Sequence, residues 1–453
     1  MGCDVSSRIS RTATRAGRLG CTLVTSAAAI AWSAAAHSQA ADANGWHLGL
    51  DAGARYTDNV SRTSVDEQSE TLGIASLLFG VTSDRPKLDA DVTGHLEYRE
   101  YLDNTYDSEL VGGVNGLLAY AFVPERFIWV VTDNFAQIAN DVTEVDTPDN
   151  RENVNYLSTG PDLTIGLTGR TSVQLSARYN NTSYETRDTD TQGYSGSLAL
   201  VRQMSQISSF SLNGTVNQVD YDEDVFIDYR IDQAFLRWSS VSENTTFILD
   251  GGYDRIHHDT QEGVSDNEQD GWMGRLEVSR AVASRSRIGL TAGSGLETPG
   301  QGLRRDQELT GVDPGVDEDA IVAGDAYRAD YAFITWTTDW ERGGLSAEID
   351  GRSEDHDIAE EANRDVYGAS INLSRQITRR FSADLTGRYS KNDLTGIDFE
   401  FDEWSVGLGL HFDLSERFSM VARVAYIEGS SDDGTRDFEE NTAYLGFSYT
   451  RAR

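Results

Sequence analysis

The sequence predicts an all-β fold: a single antiparallel up-and-down β-barrel crossing a membrane with about 18–20 strands, short periplasmic turns and long acidic extracellular loops. Three observations predict it. Segments with one apolar and one charged face recur along the whole chain. The connections between them alternate between long and short. The N-terminus reads as an export signal.

The alternation is clearest in residues 88–99. Leu88, Ala90, Val92, Gly94, Leu96 and Tyr98 fall on one face, and Asp89, Asp91, Thr93, His95, Glu97 and Arg99 on the other. Successive side chains of a strand point to opposite sides, so a period of two separates the two sets. An apolar face and a charged face repeated along a chain need two different solvents. Lipid outside and water inside a closed barrel supplies both.

The first forty residues read as a leader. Arg8, Arg11, Arg15 and Arg18 form a basic region, residues 19–36 are apolar and small, and Ser38-Gln39-Ala40 fits a signal-peptidase site. Residues 1–40 are therefore expected to be removed, leaving 41–453 as the barrel. Both cysteines, Cys3 and Cys21, lie in the leader, so the mature chain is expected to hold no disulfide. Cys21 makes a poor lipoprotein site, because Arg18 stands where a leucine belongs and the apolar stretch follows the cysteine. Losing the leader's four arginines and Asp4 takes the formal charge from −36 to −39. So acidic a chain excludes nonspecific binding of nucleic acid. No apolar run reaches the roughly 20 residues of a spanning helix.

Beyond the leader, longer acidic connections occupy residues 58–70, 140–152, 220–228, 257–270, 297–325, 354–365 and 430–440. Short ones, often carrying arginine, occupy 83–87, 123–126, 168–170, 283–286, 376–380 and 414–417. Strict alternation of long and short places each kind at one end of a meander. In outer-membrane barrels the short turns are periplasmic. This orientation puts Leu88 near the periplasm, Tyr98 near the outside and both termini in the periplasm.

The strands between follow the same rule. Val173, Leu175, Ala177 and Tyr179 oppose Gln174, Ser176, Arg178 and Asn180. Trp272, Gly274, Leu276 and Val278 oppose Met273, Arg275, Glu277 and Ser279. Leu345, Ala347 and Ile349 oppose Ser346, Glu348, Asp350 and Arg352. Phe381, Ala383, Leu385, Gly387 and Tyr389 oppose Ser382, Asp384, Thr386 and Arg388. Aromatic residues at strand ends on the apolar side suit an interfacial girdle. Segments 127–138, 229–238 and 327–340 alternate least regularly, and misreading one hairpin among them lowers twenty strands to eighteen. Pro161 falls inside a strand, where it removes a ladder hydrogen bond and predicts a bulge. A soluble sandwich or solenoid also alternates, but needs large aliphatics facing each other. Here the apolar face is rich in Ala, Gly and Tyr, and no fixed-length repeat appears.

The expected lumen lining is Arg55, Asp89, Asp91, Glu97, Arg99, Arg178, Arg275, Glu277, Glu348, Asp350, Arg352, Asp384 and Arg388. A barrel of this strand number holds an aqueous interior unless plugged. The long connection 297–325, with Arg304 and Arg305 near its start and acid near its end, is the expected plug or gate. No catalytic, cofactor or metal site is expected. His257-His258-Asp259 is the only histidine cluster, and adjacent strand residues point opposite ways. Asp188 with Asp190, Asp317-Glu318-Asp319 and Asp432-Asp433 lack the spacing of a twelve-residue calcium loop. No Gly-x-Ser-x-Gly elbow is present.

Tyr56, Thr57, Asp58, Asn59 and Val60, where the first strand enters its loop, resemble the β-barrel porins linked to exopolysaccharide operons and to the PEP-CTERM/exosortase system of Gram-negative bacteria. Asn153, Val154, Asn155 and Tyr156, the Thr168–Thr171 turn and the strand from Val173 to Tyr179 extend the resemblance. It covers most of the mature chain, mainly through strand pattern. The resemblance implies a cell outer membrane barrel, associated with polysaccharide secretion or surface assembly and lacking catalytic residues. Its implied partners are outer-membrane lipid and lipopolysaccharide, together with polysaccharide or export-machinery components. The alternatives are a general diffusion porin for small solutes and a barrel enzyme acting on lipid or glycan. The C-terminal strand, with Ala443, Leu445, Phe447 and Tyr449 on one face, looks like a barrel-assembly signal. It departs from that pattern by ending in Thr450-Arg451-Ala452-Arg453 rather than on the aromatic.

Overall fold

The computed structural model describes residues 44–223, 226–259, 270–310, 324–356 and 358–452, with backbone only for 306–310. The expected leader, residues 1–40, lies outside them. The described strands are β1 (Asn44–Thr57), β2 (Glu70–Arg85), β3 (Leu88–Tyr101), β4 (Glu109–Val123), β5 (Phe127–Ala139), β6 (Arg151–Thr168) and β7 (Thr171–Tyr184). They continue with β8 (Thr191–Gln203), β9 (Ser208–Tyr221), β10 (Tyr229–Val241), β11 (Thr245–His258), β12 (Asp270–Ala283) and β13 (Ser286–Glu297). One helix, α1 (Pro299–Thr310), precedes β14 (Tyr327–Trp340). Then come β15 (Gly343–His356), β16 (Arg364–Thr378), β17 (Phe381–Leu394), β18 (Phe399–Asp413), β19 (Phe418–Ser431) and β20 (Phe438–Ala452).

Each strand pairs antiparallel with its sequence neighbours, and β1 pairs with β20 from His47 opposite Ala452 to Thr57 opposite Thr442. The sheet closes on itself with twenty strands. The three least regular segments are all strands, namely β5, β10 and β14.

The register separates the two faces. Leu50, Leu118, Leu198, Leu249, Ile349 and Leu445 point outward and are 43–62 % exposed. Aromatic side chains stand exposed near both rims of this belt, among them Tyr98, Tyr194, Trp272, Trp129, Trp238 and Trp336. Leaving one such side chain in water rather than burying it costs about 1.5–3 kcal/mol. Summed over the belt, that exceeds the roughly 5–15 kcal/mol of a domain's net stability. The belt therefore faces hydrocarbon, and the molecule is an outer-membrane β-barrel.

Two expectations need correction. The chain at Pro161 does not bulge. The β6–β7 ladder skips Gly160 and Pro161 and resumes at Asp162 opposite Ser176 in the register it left at Thr159 opposite Tyr179. Arg178 spans the gap, donating to the Pro161 carbonyl at 3.0 Å and to Asp162 at 2.6 Å. Loop length does not alternate strictly either. The outer connection 395–398 is as short as the inner turn 414–417, because β17 and β18 pair all the way to Leu394 opposite Phe399.

Replacing Leu445, central on the outward face of β20, by arginine is expected to destabilise the barrel by about 2–4 kcal/mol, the cost of a basic side chain near the bilayer midplane. Reversible urea unfolding in lipid vesicles measures it. An unchanged midpoint would contradict the lipid-facing assignment.

Candidate pore constriction

The thirteen charged residues expected in the lumen all fall on the inward face. Arg55 and Arg99 both reach Glu97, at 3.5 and 2.7 Å. Arg275 pairs with Glu277 at 2.9 Å, Arg352 with Glu354 at 2.8 Å, and Asp384 with His411 at 2.8 Å. Arg178 holds Asp162 as described above. Asp89 and Asp91 lie towards the periplasmic end of β3; Glu348, Asp350 and Arg388 share the inward face of β15 and β17.

The Glu97 pairings belong to a longer chain of alternating charge. Arg99 continues to Glu109 at 3.5 Å, and Glu109 to Arg151 at 2.6 Å. Arg151 holds Asp146 at 2.8 Å, and Asp146 meets Arg62 at 3.8 Å. Arg62 ends the chain on Glu440 at 3.1 Å and Glu403 at 3.6 Å. Asp146 lies in the loop between β5 and β6, and Arg62 in the loop between β1 and β2. The β5–β6 loop therefore folds inward across the mouth. Asn150 shapes it, accepting from the Asp141 N–H at 2.7 Å and donating to the Asp141 carbonyl at 2.8 Å. Arg436, from the β19–β20 loop, donates to the Val142 carbonyl at 2.9 Å and lies 3.6 Å from the centroid of the Phe401 ring. Burial pushes the Asp146 carboxyl up, but Arg151 and Arg62 more than offset this and hold it well below the usual carboxylate range.

The second inward segment joins β13 to β14. Thr298-Pro299-Gly300-Gln301 starts α1 with a capping box. Thr298 Oγ1 accepts from the Gln301 N–H, and Gln301 Oε1 accepts from the Thr298 N–H, both at 3.3 Å. Pro299 occupies the first helical position, where no N–H is needed. A Cβ on Gly300 would lie 2.2 Å from the Tyr156 ring and 2.9 Å from Thr182 Oγ1. Only glycine permits that approach. One turn on, Leu303 packs with Ala136, Ile138, Val154 and Tyr156. α1 thus docks on β5–β7, and β5 is eight strands from β13 in the ring of twenty. The segment crosses the bore. Arg305 ties it back to its origin, pairing with Glu297 and lying 4.9 Å from the centroid of the Tyr331 ring.

The returning arm is also held. The Gly324 carbonyl accepts from the Tyr221 hydroxyl at 2.7 Å. Asp325, almost fully buried, bonds His356 Nδ1 at 2.8 Å and accepts from the Ile358 and Ala359 N–H groups at 2.9 and 3.0 Å. Burial raises its pKa, but these bonds, that from His356 first, more than offset this and leave it below the ordinary value.

The expected crossing by 297–325 is therefore seen at both of its described ends; residues 311–323, including Asp317-Glu318-Asp319, lie outside the described residues. Reading 297–325 only as a long connection missed α1, although Thr298 and Gln301 have the spacing of a capping box. The docking notch at Gly300 and the Asp325 latch have no such local signal, since both depend on distant strands. His257 and His258 fall on opposite faces, His257 lying 3.6 Å from Asp232. Among the described residues no group of three or more His, Cys, Asp or Glu is placed to hold a metal ion. Asp190 accepts from the Tyr184 N–H at 2.7 Å, and Asp433 from the Thr435 N–H at 2.9 Å.

No family model and no curated protein matches the chain. Among solved structures it is similar to the ferric enterobactin receptor PfeA of Pseudomonas aeruginosa, with 11 % identity over 90 % of this chain and 80 % of that one, TM-score 0.44. It is also similar to OccAB3 of Acinetobacter baumannii, with 11 % identity over 90 % and 99 %, TM-score 0.36. The FrpB iron transporter of Neisseria meningitidis matches at 9 % identity over 90 % and 81 %, TM-score 0.43. Likenesses this low carry no functional assignment, and the class rests on the closed ladder and the apolar belt.

Gly300→Val is expected to lift α1 from Tyr156 and speed tryptic cleavage after Arg304 or Arg305 by about tenfold, a loss of ~1.4 kcal/mol in docking. A variant as resistant as the native barrel would contradict the docking. The Asp325 latch has a pH sign. A carboxylate with a depressed pKa contributes stability above its ordinary pKa and loses it as pH falls through the folded value. Amide exchange at Ile358 and Ala359, corrected for its intrinsic pH dependence, should accelerate only below about pH 4. In His356→Ala the acceleration should begin at higher pH.

Proposed function

We propose that the protein is an outer-membrane channel for small polar solutes, porin-like, whose bore is narrowed by the α1 segment and by the inward β5–β6 loop. The observation that carries this reading is the crossing from β13 to the inner face of β5–β7, anchored at Gly300 and Leu303. The wall supports it. Its inward face is charged and paired, as suits a water-filled passage. Outer-membrane lipid and lipopolysaccharide are its surroundings.

Association with exopolysaccharide export is the finer proposal, and the resemblance around Tyr56–Val60 and Asn153–Tyr156 is its support. Tyr156, one of those residues, is also the ring against which Gly300 rests.

Planar-bilayer recording tests the channel. The native barrel should conduct weakly, and replacing residues 299–323 by a short Gly-Ser linker should raise single-channel conductance several-fold. Equal conductance would sink the constriction, and silence from both forms would sink the channel. Block by neutral dextran at lower concentration than by maltotriose would favour the polysaccharide reading; the reverse order would count against it.

A further inference from the structure

Strands joined by periplasmic turns mostly stay paired to their outer ends, as β8–β9 does to Thr191 opposite Tyr221 and β10–β11 to Tyr229 opposite His258. Two ladders do not. β4–β5 stops at Val114 opposite Phe135, and β12–β13 stops at Gly274 opposite Ser294. Beyond the second break, β12 still pairs with β11 to Asp270 and β13 with β14 to Glu297. Strand edges left open towards lipid must be satisfied by other groups.

The two gaps are filled differently. At β4–β5 a neutral amide bridges both edges: Gln137 accepts from the Gly112 N–H at 3.3 Å and donates to the Leu110 carbonyl at 3.2 Å. At β12–β13 the filler is a charged pair. Arg328 donates to the Trp272 carbonyl at 3.3 Å and to Asp254 at 2.7 Å.

Strand alternation places Leu296 and Arg328 on the lipid side, yet both have turned inward. Leu296 packs with Val219, Tyr229, Ile231 and Ile256, which are inward residues of β9–β11, and its N–H donates to Asp254 at 2.9 Å. The outer end of the β13–β14 pair has therefore swung off the wall and lies behind β10–β11. An apolar cluster stands directly inside the gap. On the lipid side the same strands carry a groove of about 680 Å³. Leu198, Val216, Ala234 and Tyr253 line its apolar wall, with Arg255 and the His257–Asp232 pair at the rim. Tyr253 meets Trp272 edge-on, ring centroids 5.8 Å apart, so the groove wall reaches the gap itself.

We propose that the β12–β13 gap is a lateral port for an amphiphile with an acyl-type chain. The chain lies in the outer groove, the polar head lies at the Arg255 and His257 rim, and separation of Arg328 from Asp254 admits the chain to the Leu296 cluster. Apolar surface is then continuous from lipid to lumen, and the gate is one ion pair. Gln137 makes the β4–β5 gap a closed seam by comparison, because it holds both edges at once.

Diazirine-labelled palmitate in vesicles, photolysed with the full barrel and mapped by mass spectrometry, tests the port. Adducts are expected in the groove at Val216 and Tyr253, and behind the gap at Ile231 and Leu296 at a tenth of that yield or more. Arg328→Gln should raise the inner adducts several-fold without altering those in the groove. Absence of inner adducts from the native barrel would overturn the port, whether or not Arg328→Gln folds. Equal labelling of Ala136 and Ile138 behind the Gln137 seam would also overturn it, since lipid would then enter any gap. Bilayer conductance, read separately, reports on the solute channel alone.

Discussion

Everything in this molecule depends on the pairing of β20 with β1. In hydrocarbon an unpaired backbone group costs several kcal/mol, so a sheet survives there only when it has no edge. Closure fixes the rest. Once the ring is shut, each strand has one face towards lipid and one towards the bore, and a period of two in the sequence becomes a period of two solvents. The exposed Leu and Ile belt and the inward charges are consequences of that single topological fact.

The inward charges obey a second constraint. Several are nearly inaccessible to solvent: Glu97, Glu152 and Glu354 are 1–2 % exposed. A buried ion loses several kcal/mol of hydration unless a partner and hydrogen bonds replace it. The run from Arg55 through Glu97, Arg99, Glu109, Arg151 and Asp146 to Arg62 meets that demand by alternation, each interior member touching opposite charge on both sides. Because its last members come from loops, the same pairing that solvates the wall draws the β5–β6 loop over the mouth. Wall and lid are one electrostatic unit.

This explains what was legible in the sequence. Alternation together with the spacing of the connections gave about 18–20 strands, and alternation gave the faces of residues such as Arg55, Glu97 and Asp384, because facing is a local property of a strand. It does not reach the inward turn of Leu296 and Arg328. Their local pattern is that of lipid-facing residues, and the strand moves bodily inward while keeping it; only the end of the β12–β13 ladder reveals the move. Gly160–Pro161 was readable as a ladder defect but not as one without a register shift, since Arg178 supplies the missing bond from the neighbouring strand. The helix start at Thr298–Gln301 was passed over, although its Thr-x-x-Gln spacing is a local signal. Where the helix then docks depends on Tyr156 and Thr182, more than a hundred residues upstream, and no local rule reaches that far.

The crossing segment also explains why both early-ending ladders are tolerated. A helix of twelve residues is about 18 Å long and too short to be stable alone in water. It persists because its cap, its Gly300–Leu303 face and Arg305 are all engaged. Leu303 packs on Ala136 and Ile138, residues of β5 beyond the last β4–β5 rung, and the helix springs from Leu296 and Glu297, residues of β13 beyond the last β12–β13 rung. Each end of the segment thus supplies contacts to strand ends that have lost a ladder partner. The gaps free the strand ends to reach inward, and the segment offsets the lost rungs from inside. Withdrawing α1 from β5–β6 therefore removes the Leu303 packing on Ala136 and Ile138 at one gap and loosens the Arg305–Glu297 tie at the other, while Gln137 still bridges the β4–β5 edges.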